Sequence, residues 1–134
     1  MGAKVLVLED DIWCTGVIVR TLQKAGYTPL PAATADDAWS IAVSSRDSVD
    51  ALIADYVLPS GNGVDAAVRL VSRFPSMKIL FVSGTPLEGW AGADLEKIAW
   101  LPRHSSAFVP KPFHPSVLVG TLDGLLHHAA AQTA

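Results

Sequence analysis

The chain has a single cysteine, Cys14, so no internal disulfide can form, and no cysteine-histidine cluster has the spacing of a zinc site. A reducing compartment is the expected setting. No positively charged start leads into a short apolar segment, and no uninterrupted apolar stretch reaches the roughly 20 residues that a membrane span needs. A soluble, cytoplasmic protein without a membrane partner is expected. Lysine and arginine number ten, scattered along the chain against thirteen acids, for a net charge of -3. That balance gives no electrostatic footprint for a phosphate backbone, so direct nucleic-acid binding is not expected. Repeats, linkers and a second compositional region are also missing. The 134 residues therefore read as one domain, 1–134, with the alanine-rich residues 129–134 as a frayed tail or a helix extension.

Three short apolar runs stand out: Val5 to Leu8, Ala51 to Ala54 and Ile79 to Val82. None alternates with polar residues, as befits strands covered on both faces of a parallel sheet. Two further strand candidates, Tyr27 to Ala32 and Ala107 to Phe113, contain Pro29, Pro31, Pro110 and Pro112. Proline has no N–H for an interior ladder, which places these strands at the edges. Numbered along the chain, edges at two and five imply the doubly wound order 2-1-3-4-5. Helices are expected between the strands. One spans 12–25 and stops at Gly26; another starts at the Thr34/Asp37 capping pattern and reaches about Ser45. A third follows Val64, Val68, Val71 and Phe74, a fourth lies within 88–101, and a fifth starts at Pro115. Five strands and five helices on both faces make a flavodoxin-like α/β fold.

Acids follow the strands. Glu9, Asp10 and Asp11 come straight after the first run, and Asp55 ends the third strand. Two carboxylates about 4 Å apart repel by roughly 4 kcal/mol at an effective dielectric near 20, so a cation between them is favoured. Few, hard oxygen ligands suit magnesium, with manganese able to substitute. Ser83, Gly84 and Lys111 follow the fourth and fifth strands. In an open parallel sheet all these residues meet at the carboxyl rim, where ligands bind. A carboxylate nucleophile, a metal, a hydroxyl and an ammonium are suited to phosphoryl transfer.

The segments LVLEDD (6–11), DYVLPSGNG (55–63), FVSG (81–84) and FVPKPF (108–113) resemble the receiver domain of two-component response regulators, as in the stand-alone chemotaxis regulator. Proline four and glycine eight residues after Asp55 add to the likeness. The resemblance implies that Asp55 accepts a phosphoryl group from a histidine kinase, a histidine phosphotransfer protein or a small phosphodonor. It implies magnesium on Asp10, Asp55, the Val57 backbone carbonyl and Glu9, the last directly or through water. Ser83 and Lys111 are implied to hold phosphoryl oxygens, and Lys111-Pro112 to be cis. Ser83 and Phe108 would form the switch that alters a surface of the fourth helix, fifth strand and fifth helix, where a downstream protein binds or a homodimer forms. Asp11 reads as a solvated acid at a helix start. No enzyme activity is expected beyond the chain's own phosphorylation and dephosphorylation.

Departures from the family pattern lie in 84–107, which is longer than a compact receiver requires and holds Trp90 and Trp100. Gly84 stands where alanine is common in the family, which would leave the phosphoryl group more open to water. Trp13 and Trp39 are expected to pack, Cys14 to be an inert buried thiol, and Gly120/Gly124 to mark close packing or a weak helix. Other readings are the receiver module of a hybrid histidine kinase, a magnesium-dependent aspartate-nucleophile hydrolase, and a phosphorylation-independent scaffold. The hydrolase lacks its usual second aspartate, since Val57 occupies that position; the scaffold would have lost part of the site, and nothing is lost.

Overall fold

Side-chain direction alternates along a strand, so an unbroken apolar run feeds two faces at once. The computed structural model describes residues 2–46, 48–59 and 61–133, with side chains described through His127. Strands β1 (Lys4–Leu8), β2 (Thr28–Ala32), β3 (Ala51–Asp55), β4 (Lys78–Ser83) and β5 (Ser106–Pro110) form one parallel sheet in the order 2-1-3-4-5. Helices α1 (Ile12–Lys24), α2 (Ala35–Ser44), α3 (Gly63–Arg73), α4 (Gly92–Ala99) and α5 (Pro115–Thr133) connect and flank it. The proline-bearing strands are the edges, as their missing N–H groups require.

Leu6, Leu8, Leu52, Ala54, Ile79 and Phe81 point to one face and are buried with Ala38, Ala42, Val64, Ala67 and Leu70 from α2 and α3. Val5, Val7, Ala51, Ile53, Leu80 and Val82 point to the other, against Ile18 and Leu22 of α1 and Leu118, Leu122 and Leu125 of α5. The α4 side belongs to the first face, through Ile98 and Trp90. Truncating a fully buried leucine such as Leu52 to alanine would cost about 2–5 kcal/mol.

Local signals set the boundaries. Asp11 caps α1, accepting from the Trp13 and Cys14 amides at 2.8 and 3.2 Å. Gly26, at φ +91°, supplies the left-handed residue that ends this helix's extension. Thr34 accepts from the Asp37 amide at 3.1 Å. Two expectations need correction. β5 ends at Pro110 rather than Phe113, because the chain turns there: the Lys111 amide donates to Ser83 O at 2.8 Å, and Lys111-Pro112 is cis. Trp13 does not pack, being 82% exposed. It lies five residues before Ile18, about 140° round the helix from the buried stripe.

The remaining features sort by burial. Trp39 is half-buried against Phe74 and under the Arg69 guanidinium. A Cβ on Gly120 or Gly124 would meet nothing within 4 Å, so neither marks close packing. Helix α5 takes in most of the alanine-rich end, as far as Thr133, while Ala134 and the His128 side chain lie outside the described residues. Among the described residues no helix is long and apolar enough to cross a membrane.

Candidate functional site

Glu9 and Asp10 follow β1, Asp55 ends β3, Ser83 ends β4 and Lys111 follows β5. The parallel register puts all of them on one rim. Carboxylate oxygens of Glu9, Asp10 and Asp55 lie within 4.8 Å of one another. Lys111 Nζ reaches between two of them, 2.5 Å from Glu9 Oε1 and 3.0 Å from Asp55 Oδ2. One ammonium against three carboxylates leaves an excess of negative charge that a divalent cation matches. The donor set is all oxygen, the kind that suits magnesium. Asp11, serving as helix cap, stays outside the cluster.

Burial grades these groups. The Glu9 side chain is 1% exposed and also accepts the Asp11 amide at 3.2 Å; that of Asp55 is 13% exposed, and Asp10 is open to solvent. Burial alone would lower the Lys111 pKa, but its hydrogen bonds to Glu9 and Asp55, with their charges, raise it above the ordinary lysine value. Its stabilising contribution is therefore complete below that ordinary value and is lost only as pH climbs through the raised one. Half-buried Cys14 is pushed up to about 11, mainly by burial and then by Glu9, with Lys111 opposing. A thiol so protonated at neutral pH is unreactive.

Gly63, at the start of α3, explains the tight approach behind Asp55. A Cβ there would sit 2.1 Å from the Asp55 carbonyl oxygen, while the Gly63 amide donates to Tyr56 O at 2.9 Å. The turn between them is a two-residue ladder, Val57 with Asn62 and Leu58 with Gly61. Val57 donates its amide to Asp55 Oδ1 at 3.3 Å. On the far side Ser83, 2% exposed, accepts the Thr85 amide at 3.0 Å. Phe108 is half-buried, its ring 5.5 Å from that of Trp90.

One group of residues escaped the sequence reading. Tyr56 donates its hydroxyl to Asp94 Oδ2 at 2.6 Å and accepts the Ala91 amide at 3.1 Å. Asn62 Nδ2 lies 3.3 Å from both Asp94 oxygens. The Asp94 bond raises the Tyr56 phenol above its ordinary value against the opposing pull of the Ala91 amide. Trp90 stacks on Tyr56, centroids 4.0 Å apart and planes 4° from parallel. The position of Tyr56, directly after the acid, was the available signal; its partner 38 residues away left no local mark.

The sequence family described as the response regulator receiver domain matches residues 5–123, and the chain belongs to that family. It is 32% identical over 126 residues to the sensor kinase CckA of Brucella abortus, covering 93% of this chain and 13% of that protein. It is 25% identical over 126 residues to the transcriptional regulatory protein CpxR of Klebsiella pneumoniae, covering 94% and 50%. The chain thus spans half or less of these curated relatives. Among solved structures, the chemotaxis protein CheY4 of Vibrio cholerae aligns with TM-score 0.78 and 28% identity, over 94% of this chain and 100% of that one. A CheY-like receiver domain from Methanospirillum hungatei gives 0.82 over 98% and 99%, at 18% identity, a likeness of fold.

Proposed function

We propose that the chain is a phosphorylation-dependent switch of a two-component system, with Asp55 as phosphoacceptor. The observation that supports this most directly is Lys111 held between Glu9 and Asp55, beside Asp10, at the sheet rim. The Asp55 carboxylate attacks the phosphorus of a phosphohistidine or a small acyl phosphate, and the bond from phosphorus to the donor breaks as the new acyl phosphate forms. Lys111 is already 3.0 Å from the attacking group and takes one phosphoryl oxygen; the Ser83 hydroxyl donates to another. Bound magnesium, or manganese in its place, on Glu9, Asp10, Asp55 and the Val57 carbonyl would offset the charge gathered at this rim. The chain catalyses only its own phosphorylation and dephosphorylation, and acts in the cytoplasm.

Incubation with acetyl phosphate and magnesium should add one base-labile phosphoryl group, read by intact mass and mapped to Asp55. Persistence of the same modification in Asp55→Asn would refute the assignment.

The phosphodonor has a surface to rest on. Ile12, Trp13 and Val17 are exposed, and a cavity of about 420 Å³ beside Lys111 is lined by Trp13, Cys14, Val17, Pro112 and Phe113. An apolar helix presenting a phosphohistidine fits there. Trp13→Ala is expected to slow phosphotransfer from the kinase about tenfold, since buried interface tryptophans carry over 1 kcal/mol, and to leave uptake from acetyl phosphate unchanged. Equal rates from both donors would remove this face from the docking site. A downstream protein, or a second copy of the chain, meets the opposite surface, where Leu95 and Trp100 are exposed. The likeness to a sensor kinase favours one second reading, a relay module passing phosphate to a histidine phosphotransfer protein. Rapid loss of label to such a protein would distinguish it.

A further inference from the structure

Between the phosphorylation rim and α4 runs an unbroken set of contacts. Ser83 Oγ accepts the Thr85 amide at 3.0 Å; the Thr85 carbonyl accepts Trp90 Nε1–H at 2.9 Å. The Trp90 ring, 4% exposed, lies flat on Tyr56 and meets Phe81 and Phe108 edge-on at 5.6 and 5.5 Å. Tyr56 in turn holds the start of α4 twice, through the Ala91 amide and the Asp94 carboxylate. Asp94 is 6% exposed and, among the described residues, its side-chain hydrogen bonds come from a phenol and an amide, while Lys97 acts on it through charge alone and bonds Asp65 instead. Burying an acid whose neighbouring cation is bonded to another carboxylate is unfavourable, so this contact does more for geometry than for stability.

We propose that Trp90 is the ring that registers phosphorylation and that the Tyr56–Asp94 bond is the latch through which it holds or releases α4. The inference rests on the receiver reading of Asp55 and specifies how that site is read out. A phosphoryl oxygen is a stronger partner for the Ser83 hydroxyl than any neutral acceptor, so phosphorylation favours the state in which Ser83 turns toward it. The Thr85 amide then loses its acceptor, the 84–85 turn shifts, and the carbonyl holding the indole moves with it. Trp90 leaves the Tyr56 face. Phe108 can turn only as Trp90 yields, because the two rings are in contact. Tyr56, freed on one side, no longer fixes Ala91 and Asp94, and α4 changes position or order. The readout therefore depends on a residue of the lengthened 84–107 segment.

The test uses the full chain labelled with 5-fluorotryptophan, whose four resonances are assigned by single Trp→Phe replacements. On loading with acetyl phosphate and magnesium, with the phosphorylated fraction read by mass, the Trp90 signal should move in proportion to that fraction while Trp39 stays fixed. Tyr56→Phe keeps the stacked ring and loses the hydroxyl. It should still take up the phosphoryl group, show the Trp90 signal shifted toward the phosphorylated position beforehand, and exchange α4 amides about tenfold faster, the loss expected for one hydrogen bond to a carboxylate. A Trp90 signal unmoved in fully phosphorylated protein, or Tyr56→Phe indistinguishable from the parent, overturns the latch and leaves the receiver reading intact. Absence of phosphorylation at Asp55 overturns that reading, and the latch with it.

Discussion

Lys111→Ala should take up a phosphoryl group and fail to respond to it. The ammonium sits 2.5 Å from Glu9 and 3.0 Å from Asp55, so it is the group that a new phosphoryl oxygen would draw away from its resting partners. Without it, partner binding should no longer rise on phosphorylation; a full rise in the variant would show that Lys111 is not the reporter. Stability should change as well. Removing one partner leaves the almost dry Glu9 carboxylate uncompensated, a loss of about 2 kcal/mol, discounted from a fully buried pair because Lys111 keeps 23% of its side-chain exposure. That corresponds to a melting point lowered by roughly 6 °C in the presence of a chelator. Magnesium should narrow the gap, since the vacated charge is one a cation can supply. The raised Lys111 pKa fixes the pH behaviour: the deficit stays constant from neutral pH to the ordinary lysine value near 10.4, then shrinks as the parent loses its proton through the raised value.

The second large effect is expected at Gly63. Alanine there would place its Cβ 2.1 Å from the Asp55 carbonyl oxygen and 3.2 Å from Ala54 Cβ, and the backbone atom has no flexible route of escape. The helix start and the strand end must separate. A loss of about 3 kcal/mol, or roughly 9 °C in melting point, follows from such overpacking. Because the displaced strand end carries Asp55, the proposed phosphoacceptor, phosphoryl uptake should fall at least about tenfold. Gly84→Ala is the control: its Cβ meets nothing within 4 Å, so stability should hold within about 0.5 kcal/mol. Its expected effect is a longer phosphoryl lifetime, through shielding from water. An unchanged lifetime would count against that role for Gly84, and an unperturbed Gly63→Ala against the close approach.

What could be read in the sequence was whatever depends on neighbours along the chain. Apolar runs without alternation marked the central strands, and prolines marked the edges, because burial on both faces and loss of an N–H are local properties. The rim residues followed, since a parallel sheet brings strand ends together whatever the loops do. Thr34 announced its helix by capping chemistry, whereas Asp11, read only as a solvated acid at a helix start, proves to cap α1 through its side chain. Trp13 misled because a tryptophan at helical spacing looks like core, while only the register of Ile18 and Leu22 decides which way it faces. Trp90 and Trp100 came as a pair in one segment, 84–107, yet one is buried and the other 88% exposed. That sorting depends on Tyr56 and Asp94, whose pairing spans 38 residues and has no periodic signature. The strand expected to reach Phe113 ended early because a turn after Pro110 is set by Ser83 on another strand.

The two hydrophobic layers have a further consequence. Helix α1 lies over one face of the sheet and α4 over the other, with the acid cluster at their common rim. A donor seated on α1, as proposed, would leave α4 uncovered, so the same molecule would have room for two companions simultaneously. On that proposal, signal delivery would not have to await departure of the kinase, and a three-protein assembly would be sterically open to this chain.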